Sequence, residues 1–292
     1  MIRRAVIFLK TIRAVESTLM CGFPLIGTLF ALRVLSWSVA WTVLRFIIAT
    51  YGLVIYVYVL NSWGGIETDR RNKRLGEHPV LTGEVSPNQL MVVFYIGLAV
   101  SLLLYTLWLP QCLPIALAIA ANWTLYSHPD ILAKARPVYG NLVHFAGGAL
   151  QFLLGWVILS PISWRGLLLA MYFAGVFAAG HLNHEVMDHD ADKEMGLRTN
   201  AVVFGPLRML NVAFAFFCFW ALYLGVISFL GVVPFSWTLP FLIVFPIHAI
   251  AYWLMRPGPN GAYPLGYQKF YRTLYVGAGA FVFMIRLFQS WK

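Results

Sequence analysis

WSVAWTVLRFIIATYGLVIYVYVLNSWGGIETDRRNKR, residues 37–74, is a long apolar run that turns abruptly polar. A helix needs roughly 20 apolar residues to cross the hydrocarbon core of a bilayer. The run therefore predicts a membrane span over 37–62, with Asn61, Gly65 and Asp69 at its end. A second run closes the same way, in HLNHEVMDHDADKEMG, residues 181–196, which carries Asp188, Asp190 and Asp192. A charged side chain at the centre of a membrane helix costs roughly 2.5–3.5 kcal/mol on insertion scales. Carboxylates kept at the edge of hydrocarbon point to something bound there.

The rest of the chain reads as membrane too. Of 292 residues, 60% are hydrophobic and only 11% charged, where a soluble domain carries about 25% charged residues. Nine spans are expected, near 15–34, 37–62, 89–109, 112–127, 138–160, 165–188, 204–231, 238–255 and 270–290. They form one all-α domain over 1–292, a polytopic bundle around a central cavity. The basic, weakly amphipathic start, MIRRAVIFLKTIRAVEST, reads as an interfacial helix that is retained, without a signal-peptide cleavage site. Cys21, Cys112 and Cys218 lie in apolar segments at no metal-like spacing and read as small core residues. Spans two and six both end in acidic runs, a hint of a weak internal repeat.

Charge gives the orientation. Arg3, Arg4, Lys10, Arg13, the cluster of Arg70, Arg71, Lys73 and Arg74, and then Lys134, Arg136, Lys193, Arg198, Arg208, Arg256, Lys269 and Arg272 fall on one side of the nine-span layout. Arg33, Arg165, Arg286 and Lys292 fall on the other. The positive-inside rule puts the N-terminus and the acidic ends in the cytoplasm. The formal net charge of +10 is explained by that bias and by anionic lipid, with no nucleic-acid partner required. Chemistry confined to one face argues for a cavity open to the cytoplasm and against a pore with two polar mouths.

Asn61, Gly65 and Asp69 are four apart and would share one face of a continuous helix. Asp188 and Asp192 are spaced likewise, with Glu185 on the same stripe and Asp190 turned away. Magnesium takes oxygen ligands and is commonly held by one or two carboxylates plus substrate phosphates. Facing stripes of this kind suit it, with Asn61, Asp69, Asp188 and Asp192 as candidate metal ligands. Lys134, Arg136, Arg70 and Lys193 are candidate diphosphate contacts, since cationic side chains neutralise phosphoryl charge. Tyr126 is a candidate to touch the diphosphate or shield a cation. His144 and His181 lie inside spans, where polar groups need partners, and read first as packed histidines; His184 reads the same way.

On these residues the chain resembles the UbiA superfamily of intramembrane prenyltransferases. Its first motif, N-D-x-x-D-x-x-x-D, is met at Asn61 and Asp69. Its second, D-x-x-x-D followed by Gly and Thr, is met at Asp188, Asp192, Gly196 and Thr199, and the Tyr126-Ser127 loop lies between the two. The resemblance implies Mg²⁺-dependent ionisation of a prenyl diphosphate, with Asp69, Asp188 and Asp192 catalytic. Two positions depart. Ser62 stands where Asp is usual, and Gly65 replaces the central Asp. The pattern N-x-x-x-G-x-x-x-D resembles the UbiA-type terpene cyclases, so cyclisation of the allylic cation is the leading expectation. Transfer of the prenyl group to an aromatic or other lipophilic acceptor is the alternative. A divalent-cation transporter and a non-catalytic lipid-binding paralogue are the bland competitors. Chain length, acceptor, product and oligomeric state stay open.

Overall fold

A computed structural model describes residues 2–71, 78–257 and 265–290, and no strand occurs among them. Lys73, Arg74 and Lys292 lie outside the described residues. The chain begins with α1 (Ile2–Thr11) and α2 (Ala14–Ala31). It continues through α3 (Trp37–Gly64), the short α4 (Ile66–Arg71) and α5 (Pro87–Trp108). Next come α6 (Leu113–Ser127), α7 (Tyr139–Trp156), α8 (Trp164–Glu194) and the short α9 (Asn200–Phe204). Helices α10 (Pro206–Phe229), α11 (Phe235–Met255) and α12 (Leu265–Ser290) complete it.

Local chemistry sets several of these boundaries. The Ser36 side chain accepts from Val39 N–H at the start of α3. Ser86 and Gln89 form a reciprocal capping box on α5, with Pro87 in its first turn. Such caps satisfy N–H groups that an α-helix leaves without internal partners. Pro206 opens α10, where a missing N–H costs nothing.

Seven helices (α2, α3, α5, α8, α10, α11 and α12) are long and apolar enough to cross a membrane. This is an integral, multi-pass architecture. The other two expected crossings fall short of that standard. Helix α6 has 15 residues, about 22 Å of rise against a hydrocarbon core of about 30 Å. Helix α7 carries Asn141, His144 and Gln151 among its 18 residues. Large apolar side chains line the outside, with Phe229 90% and Phe288 87% exposed. Lipid is the solvent that makes such a surface stable.

Helix α7 packs between α2, α6 and α8, while α3 packs on α5 and α8 on α10. A narrow crevice, with room for about 10 Å³, lies among α2, α3, α6 and α7, lined by Pro24, Leu53, Val54, Ile119, Gln151 and Leu154. The C-terminal ends of α3, α6 and α8 meet at one end of the bundle, where α4 packs against α8. The expected span over 165–188 is longer than anticipated: α8 runs on to Glu194, so the second acidic run is helical throughout.

Candidate active site

The first arm is built on a pair of glycines. A Cβ on Gly64 would overlap the Ser127 carbonyl, so only glycine lets the end of α3 lie on the end of α6. That contact brings Ser127 Oγ to Asn61 Oδ1, 3.4 Å away. Helix α3 then stops, Gly65 forms the junction, and α4 restarts at Ile66. The continuous helix expected from the four-residue spacing is therefore broken. Two adjacent glycines carry a penalty of about 1 kcal/mol each in a helix interior, and the close approach at Gly64 favours a turn. Asp69 returns to the same place nonetheless. Its N–H donates to Gly65 O at 2.8 Å, and its Oδ2 lies 3.2 Å from where a Gly65 Cβ would stand.

Lys134 fills the gap beside Gly65. The loop after α6 places it in a single 3₁₀ turn, Ala133–Ala135, entered through Leu132 at φ 44°. Its Nζ lies 3.1 Å from the same Cβ position. The ammonium thus stands where the side chain of a central aspartate would begin. Burial lowers the Lys134 pKa from its ordinary value, and Asp69 and Asp192 pull it back up. Burial likewise pushes Asp69 up to about 6, opposed by Lys134 and Arg13 and reinforced by Asp188. One lysine therefore stands within electrostatic reach of both acidic arms.

The second arm is the last three turns of α8. Asp188 and Asp192 lie one turn apart, with Asp188 within electrostatic reach of Asp69 on the facing α4. The helix closes at Gly196, whose φ of 68° is left-handed, and Leu197 N–H donates to Asp192 O at 2.9 Å. Glycine suits this position because a Cβ there is strained. Thr199 then precedes α9.

Glu185 does not join this stripe as expected. Its Oε1 accepts from Asn200 Nδ2 at 3.0 Å and its Oε2 from Ala201 N–H at 3.3 Å. It therefore serves the start of α9, where helical N–H groups lack internal partners. Asp190 points outward and pairs with His189 at 2.8 Å. His184 is exposed and accepts from Arg272 Nη2 at 2.6 Å.

The remaining candidates divide. Arg70 pairs with Glu67 at 3.4 Å on the exposed side of α4. Arg136 and Lys193 are exposed, as is Arg198. Tyr126 turns inward, its Oη 3.1 Å from His181 Nε2. The His181 ring stacks on His144 with centroids 3.5 Å apart.

Asn61, Asp69, Asp188 and Asp192 offer oxygen donors alone, the chemistry a hard cation takes. Among the described residues no three acidic, histidine or cysteine side chains converge as a ready-made metal cage. Magnesium held by one or two carboxylates, its waters and a substrate phosphate asks for no such cage. The donor set fits.

The UbiA prenyltransferase family matches this chain over residues 21–271. The chain belongs to that family. A curated relative, a 4-hydroxybenzoate octaprenyltransferase from Alkalilimnicola ehrlichii, is 24% identical over 157 residues. That match takes in 50% of this chain and 49% of the relative, so the chain spans about half the length of the curated relative it matches. The fold is shared more widely. A UbiA homologue from Archaeoglobus fulgidus bound to GPP and Mg²⁺ superposes with a TM-score of 0.77 at 17% identity, covering 96% of this chain and 99% of that one. The apo form of a UbiA homologue from Aeropyrum pernix K1 superposes with a TM-score of 0.70 at 18% identity, covering 91% and 95%.

In this UbiA family member, sequence reasoning brought Asn61, Asp69, Asp188, Asp192 and Lys134 to one end of the bundle. It missed the fit of Lys134 into the Gly65 gap, which joins residues far apart in the chain. It also missed the Tyr126–His181–Glu185 line. The Thr199-Asn200 pair after Gly196 was a legible helix-start signal, and it would have exposed α9 as the claimant on Glu185.

Proposed function

We propose that this protein ionises a prenyl diphosphate within the membrane and passes the prenyl group to a lipophilic acceptor. The observation that carries the reading is the convergence of two acidic arms on Lys134 at the mouth of an apolar bundle. Asn61, Asp69, Asp188 and Asp192 would hold Mg²⁺, which when bound neutralises the charge that gathers on the departing diphosphate. Lys134 supplies a fixed positive charge on the same group, as a preorganised donor does where charge develops. Arg136 and Lys193 are close enough in the chain to close over the headgroup as it enters. The apolar interior shelters the prenyl tail and keeps water from the cation. The bias of basic residues supports a cytoplasmic mouth.

Transfer comes first because the curated relative is a transferase, and because Gly65 sits at the charged mouth, where Lys134 uses its space. Cyclisation remains the second reading, favoured by the N-x-x-x-G-x-x-x-D pattern. Purified protein supplied with Mg²⁺ and geranyl, farnesyl or geranylgeranyl diphosphate separates the two. Transfer predicts no carbon product beyond slow hydrolysis until a phenolic or other lipophilic acceptor is added. Cyclic hydrocarbons or alcohols formed without acceptor would establish the cyclase instead, and no diphosphate release under any condition would reject both.

A further inference from the structure

Beneath the charged mouth lies a line of polar side chains that the ionisation step leaves unused. Tyr126 Oη is 3.1 Å from His181 Nε2. His181 Nδ1 is 3.6 Å from Glu185 Oε1, an ion-pair distance too long for a hydrogen bond, and it has no other partner. Glu185 accepts from Asn200 Nδ2 and Ala201 N–H, and Asn200 Oδ1 in turn accepts from Val138 N–H at 2.7 Å. With both Glu185 oxygens acting as acceptors, the hydrogen on His181 belongs on Nδ1, facing them. Nε2 then accepts from the Tyr126 hydroxyl.

The position of this line matters. His181 lies two helical turns before Asp188, about 10 Å deeper along α8. It stays tied to the mouth, since His181 Cε1 and Lys134 Cα both stand 3.5 Å from where a Cβ on Gly140 would be. His144 closes the other side. Its Nδ1 donates to Gly140 O at 3.1 Å, its ring stacks on His181, and it meets Tyr126 edge-on with centroids 4.7 Å apart. The Tyr126 ring and hydroxyl thus pack among the rings of His144 and His181, behind the charged mouth.

We infer that Tyr126, His181 and Glu185 form a relay that removes the proton whose loss ends the reaction. The inference rests on the proposed ionisation, and it serves transfer to an aromatic carbon and cyclisation to an olefin alike, since each ends by losing a proton from carbon. In that step a C–H bond breaks and its electron pair becomes the carbon–carbon double bond. The proton passes to Tyr126 Oη while the tyrosine's own hydrogen moves to His181 Nε2. The imidazolium that results faces the Glu185 carboxylate, the same logic by which a buried carboxylate supports a catalytic histidine. Tyr126 touches the reacting atoms; His181 and Glu185 act through it.

The test compares full-length wild-type protein with Tyr126→Phe and His181→Gln, in lipid, with Mg²⁺, prenyl diphosphate and acceptor. Two quantities are followed, diphosphate released and proton-terminated product formed. The relay predicts that the ratio of product to diphosphate falls about tenfold or more in both variants, with water-quenched prenyl alcohols making up the difference. A residue that only holds helices together changes the amount of active protein and leaves that ratio alone. Tyr126→Phe removes one oxygen atom, so it carries the test should His181→Gln fail to fold. An unchanged ratio where wild type releases diphosphate overturns the relay alone. Absence of release from wild type overturns the ionisation and the relay together.

Discussion

Replacing Gly65 by aspartate supplies the carboxylate that the motif usually carries there, yet the structure predicts a loss of activity. The first side-chain atom at position 65 would stand 3.1 Å from Lys134 Nζ and 3.2 Å from Asp69 Oδ2. An added carboxylate would meet the ammonium before it met a metal. Two unit charges 4 Å apart attract by about 4 kcal/mol at an effective dielectric of 20, enough to hold Lys134 away from an incoming diphosphate. Losing one charge-assisted hydrogen bond costs about 1.5–3 kcal/mol, or about 10- to 150-fold in kcat/KM. Diphosphate release at saturating Mg²⁺ measures it, with thermal unfolding to show that the variant folds.

Two companions separate charge from bulk. Gly65→Asn brings the same volume without the charge, so its loss reports steric crowding alone. Gly65→Asp combined with Lys134→Met removes the captor, and the freed carboxylate should leave this pair more active than Lys134→Met by itself. Wild-type kcat/KM in Gly65→Asp, or an equal loss in Gly65→Asn, would refute the reasoning.

Three further outcomes are expected. Asp188→Asn and Asp192→Asn should each cost at least the roughly 10- to 100-fold that even outer-shell changes cost a metal site, read as diphosphate release with folding checked by circular dichroism. Asp69 sits at about 6 in the folded protein against an ordinary 3.8, so the folded state binds the extra proton between those values. Its contribution to metal-free stability is complete below 3.8 and is lost as pH rises through about 6. The melting temperature of metal-free protein should therefore fall across that window and flatten in Asp69→Asn, while Mg²⁺ half-saturation should rise about tenfold per unit below pH 6 as metal competes with the proton. Gly64→Ala forces a methyl group into the Ser127 carbonyl; overpacking of this kind costs about 1–3 kcal/mol and should appear as a lower melting temperature and weaker Mg²⁺ binding through Asn61.

The membrane fold and its two acidic arms were legible because they are local signals. Apolar length fixes a span, and a carboxylate at its end is costly unless used. Helix ends were harder. The span expected to close near 188 runs on to Glu194, about two more turns of α8, because interfacial helices need no apolar face all round. The break at Gly65 was invisible to a periodicity argument that assumes an unbroken helix. Arg70 is expected as a phosphate contact by adjacency, and in the fold it pairs with Glu67 one turn away. Glu185 shares the acidic stripe by register, but the start of α9 claims it through Asn200 Nδ2 and Ala201 N–H. In each case the sequence names the groups, and competition between partners across the fold decides which pair forms.

That competition also bears on what Gly65 can mean. The position lies at the mouth, beside Asn61, Asp69 and Lys134, so a change there alters how charge on the headgroup is met. On the proposed ionisation, the fate of the cation would be decided deeper, among Tyr126, His144, His181 and the rings of Trp123 and Phe177 packed on them. The two regions share α8, with Asp188 and Asp192 above and His181 two turns below. A single motif residue at the charged end therefore carries information about ionisation and little about the product. Substitutions at 65 and 134 should move Mg²⁺ dependence while leaving the product spectrum intact, and substitutions at 126 and 181 should do the reverse. A product spectrum that changed with Gly65→Asn would show that mouth and interior are one coupled cavity, and the N-x-x-x-G-x-x-x-D pattern would regain its force as a sign of cyclisation.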